Sequence, residues 1–100
     1  MDLAELTEEL RRRAGQNVKL GYKVKFVVDD GIIFWDGTDH PPEIGNEDKG
    51  DATTTITIAP ENLEKLMGGA LDPTLAYMTG KLKVEGSMGV ALKLTSMFAD

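Results

Sequence analysis

One hundred residues, 41% apolar and 28% charged, fit one soluble globular domain over residues 1–100 and exclude a disordered, collagen-like or membrane-spanning chain. A formal charge of −6 argues against duplex nucleic acid as a partner, because phosphate contacts need a basic excess. With no cysteine there are no disulfides, thiolate nucleophiles or thiolate-held metals, and with no apolar leader in residues 1–20 the chain is expected to be cytoplasmic.

The first element reads as a helix. Asp2 and Glu5 have the spacing of a capping box, and Leu3, Leu6, Leu10 and Ala14 share one stripe. Arg11, Arg12 and Arg13 suit the dipole of the last turn, and Gly15 stops the helix. Residues 18–28 then alternate with period two, which predicts a strand. Val18, Leu20, Tyr22, Val24, Phe26 and Val28 point one way, and Lys19, Lys23 and Lys25 the other. Asp30-Gly31 reads as a two-residue hairpin turn, which pairs Val28 with Ile33 and Phe26 with Trp35 on an inner face. Val27, Ile32 and Phe34 are left on the outer face, with the stripe of the first helix as the candidate cover.

Residues 36–52, rich in Asp, Glu, Gly and Pro, are expected as a loop. They do not form an EF-hand: Thr38 breaks the pattern begun at Asp36, and Gly50 fills position five of the pattern begun at Asn46. The Thr/Ile alternation of 53–59 predicts a strand with Ile56 and Ile58 inward. Pro60 opens a short helix with Leu63, Leu66 and Met67 on one face, closed by Gly68-Gly69. Asp72-Pro73 opens another, with Leu75, Ala76 and Met78 as its apolar side and Gly80 at its end. Residues 81–85 form a strand with Leu82 and Val84 inward, and Ser87 caps a last helix over 88–98. In that helix Met88, Val90, Ala91, Leu92, Leu94, Met97 and Phe98 run nearly all round, so it needs two apolar neighbours. The sheet is one; a ligand, a partner chain or more core is the other.

Catalysis has little to draw on. His40, the only histidine, precedes Pro41-Pro42 in the acidic loop, and Ser87 and Ser96 are committed to a helix cap and a helix face. Gly68-Gly69 and Gly86–Gly89 lack the context of a phosphate loop or a dinucleotide fingerprint. No cofactor and no metal is implied. What remains is apolar surface. Met67, Met78, Met88 and Met97 lie on or beside the helices, and methionine adapts to varied apolar shapes as readily as it fills a core.

The run from Thr55 to Leu94 resembles the sterol carrier protein-2 family. Its most specific piece is Gly80-Lys81-Leu82-Lys83-Val84-Glu85-Gly86, followed by Met88-Gly89 and Leu92-Lys93-Leu94. Thr55-Ile56-Thr57-Ile58, the Gly pair, Asp72-Pro73 and the hairpin at 27–31 repeat the family's order, so the likeness covers nearly the whole chain. The resemblance implies an α/β fold of α+β type: a mostly antiparallel sheet of about five strands, helices over one face, and an apolar tunnel between them. It implies non-enzymatic binding and transfer of sterols, fatty acids, acyl-CoA or phospholipids by a stand-alone, bacterial-type member with no enzyme domain attached. Phe98-Ala99-Asp100 is not a peroxisomal address of the Ser-Lys-Leu type.

By position, the implied tunnel residues on strands are Phe26, Val28, Ile33, Trp35, Ile56, Ile58, Leu82 and Val84. On helices they are Leu63, Leu66, Met67, Leu75, Met78, Met88, Leu92 and Met97. The expected partners are a lipid ligand, an anionic membrane surface touched transiently through Lys19, Lys23, Lys25, Lys81, Lys83 and Arg11–Arg13, and a weak homodimer; a solvated sheet face is the plainer reading of the lysines. The alternative function is a protein–protein interaction module that packs its apolar C-terminal helix on a partner chain.

Overall fold

The structure is a computed structural model and describes residues 1–14, 21–29, 31–39 and 41–98. In chain order the elements are α1 (Leu3–Ala14), β1 (Lys23–Val28), β2 (Gly31–Asp36), β3 (Glu43–Gly45), β4 (Thr54–Ile58), α2 (Pro60–Met67), α3 (Pro73–Met78), β5 (Leu82–Gly86) and α4 (Met88–Phe98). The capping box of α1 forms: the Glu5 N–H donates to Asp2 Oδ1 at 2.9 Å and the Asp2 N–H to Glu5 Oε1 at 3.1 Å. Asp72 caps α3 by accepting from the Leu75 N–H at 3.0 Å, and Ser87 Oγ accepts from the Val90 N–H at the head of α4.

The five strands lie in the order β3-β2-β1-β4-β5. Every neighbouring pair is antiparallel except β1 and β4, which run parallel. The mostly antiparallel, five-stranded sheet expected from the sequence is therefore present. Cross-strand register puts Val24, Trp35, Ile44 and Thr54 in one row and Phe26, Ile33, Ile56 and Val84 in the next, all on one face. That face carries the main core, together with Leu6, Leu10 and Ala14 of α1, Leu63, Leu66 and Met67 of α2, and Val90, Ala91 and Leu94 of α4.

Four expectations need correction. The hairpin turn does not include Gly31 and lies between Val28 and Gly31, because Val28 pairs with Gly31, Phe26 with Ile33 and Val24 with Trp35. Asp29 sits at φ 51°, the left-handed region that such a turn requires and that Asp tolerates. The shift is two residues, so no side chain changes face. Second, the stretch 36–52 is not all loop: Glu43–Gly45 adds an edge strand to β2. Third, α1 covers the inner face and not Phe34. The Cβ direction of Gly31, on the inner face opposite Val28, runs into the Leu3 side chain. Phe34 is nonetheless buried, at 2% exposure, on the other side. On that side Asp48, in the chain after β3, pairs with Lys25, the cross-strand partner of Phe34, at 2.9 Å. Asn46 closes the nearby edge, donating to the Ile32 carbonyl and the Thr7 hydroxyl at 2.9 Å each. Fourth, Tyr22 precedes β1 and is largely exposed.

Candidate functional site

Of the sixteen residues expected to line a tunnel, fifteen fall into three groups. Phe26, Val28, Ile33, Trp35, Ile56, Ile58 and Leu82 on the strands, with Leu63, Leu66 and Met67 on α2, are all 0–3% exposed and pack as one cluster. Val84 is partly buried against them, and Met88 and Leu92 are half-buried along one flank of α4. Leu75 and Met78 stand on the outside of α3, at 56% and 73% exposure, and do not meet the others. Met97 lies in the last turn of α4, and its side chain falls outside the described set. So do Gly15, Val18, Lys19, Leu20, Asp30 and His40.

The same layer contains residues that the sequence did not single out for the site. Val24, Ile44, Ala91 and Leu94 are buried in it. Val24 and Leu94 were legible from the period-two run of β1 and the apolar girth of α4. Ile44 carried no such signal, being one apolar residue in an acidic stretch.

Polar groups inside the layer are almost all satisfied locally. The Thr54 hydroxyl donates to the Ser87 carbonyl at 2.9 Å, which ties the head of α4 to β4. The Thr95 hydroxyl donates to the Ala91 carbonyl at 2.9 Å. Trp35 is the exception: its indole Nε1–H is buried and has no partner among the described residues. A buried donor left unpaired costs about 1–3 kcal/mol, so this N–H marks a place where an acceptor oxygen would be welcome.

Where the layer reaches the surface it does so at separate clefts. Met67 borders a cleft of about 560 Å³ between α1 and α2, whose rim carries Glu9, Arg12, Arg13, Glu64 and Lys65. There Glu9 bonds Arg13 at 2.8 Å and also pairs with Arg12; the Arg12 hydrogen bond above all holds its carboxyl below the usual range, against a burial that raises it. Val28 borders a smaller cleft of about 280 Å³ with Leu3, Leu6, Gly31 and Pro60 at the hairpin end. The inner layer is thus apolar, carries one unpartnered N–H among the described residues, and borders surface clefts at Met67 and Val28.

The family model described as the SCP-2 sterol transfer family matches residues 5–99. Hydroxysteroid dehydrogenase-like protein 2 of Danio rerio is 37% identical over 70 residues, which is 69% of this chain and 17% of that protein. Sterol carrier protein 2 of Oryctolagus cuniculus is 48% identical over 52 residues, 52% of this chain and 9% of that protein. The chain therefore spans less than a fifth of the length of either relative. Among solved structures, palmitated SCP2L2 of Aedes aegypti aligns with a TM-score of 0.73 at 17% identity, covering 100% of this chain and 96% of that one, and shares the fold.

Proposed function

From the premise that the chain belongs to the SCP-2 sterol transfer family, we propose that it is a non-enzymatic, cytoplasmic carrier of single-tailed or sterol-type lipids, held between the inner sheet face and the helices α2 and α4. The observation that carries this reading is the continuous apolar layer between sheet and helices, in which Trp35 Nε1–H alone stands without a partner among the described residues. A C16 chain placed in that layer gains about 0.8 kcal/mol per buried CH₂, on the order of 12 kcal/mol before ordering and association costs. Micromolar binding needs no more than that. Tail selectivity should be loose, and an ester, hydroxyl or carboxyl oxygen near Trp35 sets the depth of the guest.

The ten fully buried candidates fill the layer by themselves, so a guest enters by displacing a helix. Helix α4 is the one to move. It is joined to β5 through Gly86 at φ 97°, it keeps Met88 and Leu92 half-buried along its flank, and two hydrogen bonds at Ser87 tie its head to the sheet, from the Thr54 hydroxyl to the Ser87 carbonyl and from the Ser87 N–H to the Thr53 carbonyl. The name of the Aedes aegypti neighbour reports that protein with palmitate, which makes palmitate the natural first probe.

Trp35 is the only tryptophan and lies inside the proposed site, so its emission reports entry directly. Titrating delipidated protein with palmitate, and separately with cholesterol, should change that emission saturably at one guest per chain. No response to any lipid would sink the carrier reading. The half-exposed flank of α4 also suits a partner chain, so native mass spectrometry of freshly purified protein is the second measurement. Co-purifying lipid supports the carrier, and a stable heteromer without lipid supports the interaction module.

A further inference from the structure

The inner sheet face is polar at one end only. In the first row Val24 lies between Trp35 and Thr54, with Ile44 beyond Trp35. The next row, Phe26, Ile33, Ile56 and Val84, is wholly apolar. So are Val28, Ile58 and Leu82 after it, toward the hairpin. Rows on one face are about 7 Å apart. A guest lying along the strands therefore meets polar atoms at the Trp35 end and hydrocarbon from there on.

The buried side-chain donors are all spent but one. Thr7 donates to the Leu3 carbonyl at 2.7 Å, Thr54 to the Ser87 carbonyl and Thr95 to the Ala91 carbonyl at 2.9 Å each. The Nε1–H of Trp35, in a residue 1% exposed, has no partner among the described residues. An indole N–H only donates, so what it can take is an acceptor.

The surroundings decide the charge of that acceptor. Among the described residues every buried polar side chain besides the indole is a threonine. Arg11 reaches the backbone beside Trp35, donating from Nε to the carbonyl of Ile44, the cross-strand partner of Trp35, at 2.8 Å. It is exposed, however, and pairs with Glu8. An anionic head buried at the indole would lack a counter-charge, and that costs far more than one hydrogen bond returns. An uncharged oxygen takes the same bond without the cost.

We propose that Trp35 is a specificity-determining residue of the lipid site. Its Nε1–H binds the uncharged oxygen of a long-chain guest (a hydroxyl, an ester or a protonated carboxyl), which lies with that oxygen at the Trp35 row and its tail toward the hairpin. The assignment deepens the carrier reading and rests on it.

With one tryptophan in the chain, the ¹⁵N-labelled protein gives one indole N–H resonance. Hexadecanol and methyl palmitate should move its proton downfield, as a new hydrogen bond does, and hexadecane should not. Palmitate at pH 8 should move it less than methyl palmitate. Competition against a fluorescent fatty acid supplies affinities. The preference for hexadecanol over hexadecane should be roughly tenfold larger in the unmodified chain than in Trp35→Phe, a ratio in which the solubilities of the two guests cancel. An indole proton moved as far by hexadecane as by hexadecanol, or a preference for the alcohol that Trp35→Phe retains, overturns the role of Trp35. Equal shifts with palmitate and methyl palmitate overturn the uncharged oxygen. In each of these outcomes the backbone amides of Ile56 and Leu63 still respond to guest, and the carrier reading stands. Amides that respond to no guest at all remove the carrier reading and this assignment with it.

Discussion

Gly86 meets two constraints at one position. Its φ of 97° lies in the left-handed region, and a Cβ there would sit 2.3 Å from the Thr53 carbonyl oxygen and 3.2 Å from Thr54 Cα. Backbone cannot yield as a flexible side chain does, so strand β5 would have to separate from β4. Gly50, at φ 99°, has the same conformational demand but open space around its Cβ direction. Gly50→Ala should therefore cost roughly 1 kcal/mol, the strain alone, and Gly86→Ala roughly 3 kcal/mol or more. Urea midpoints of the two variants check the difference, and equal midpoints would remove the steric claim. The sequence shows a glycine after a strand at Gly86 and a glycine within a loop at Gly50; only the meeting of β4 with β5 reveals the steric demand at Gly86. The unpartnered indole of Trp35 is likewise invisible in the sequence, which says where the ring points but not what its N–H finds.

Helix α4 illustrates what an element can carry. Its cap and its apolar girth are written in Ser87 and the run that follows, because both depend on neighbours a few residues away. Its attachment is not: the Thr54 hydroxyl reaches the Ser87 carbonyl from a strand 33 residues earlier. Thr54→Val removes that bond at nearly constant volume and should lower stability by about 1 kcal/mol. If α4 is the element that lifts, the same change should also speed the exchange of a bound fatty acid, measured by stopped-flow release from Trp35 emission. Slower or unchanged release with the expected loss of stability would place the entry elsewhere. Helix α3 makes the opposite case. Leu75 and Met78 have the residue types and spacing of a core face, yet α3 seats only Ala76 on the protein and turns the larger side chains outward.

Over the whole molecule, carboxylates in three separate places are held below their ordinary pKa by partners formed on folding. Asp48 is lowered first by its hydrogen bond with Lys25 over the outer sheet face, Asp36 first by the Thr38 hydroxyl at the end of β2, and Glu9 first by Arg12 on α1. For each, the unfolded chain binds the proton more readily, so the stabilisation is present above the ordinary carboxylate range and is lost as pH falls through the lowered values, below about pH 4. These groups are solvent-screened, so the effect is spread and salt-sensitive. Asp48→Asn should lose less stability than the unmodified chain between neutral pH and pH 3.5, with urea midpoints at both as the measurement; parallel losses would refute the part given to Asp48.

By itself the sequence determined the helices and strands, apart from the three-residue β3, and it determined which side of each principal strand is apolar. Periods of 3.6 and 2, caps and turn residues act over a few positions, and a register slip of two at the hairpin leaves that alternation intact. Only the tertiary structure decided that α1 lies on the inner face, that Asp48 reaches Lys25 on the outer face, that Ile44 joins the core and that α3 turns its larger side chains outward. Each of these depends on which two surfaces meet across long stretches of chain, and local periodicity carries no term for that choice.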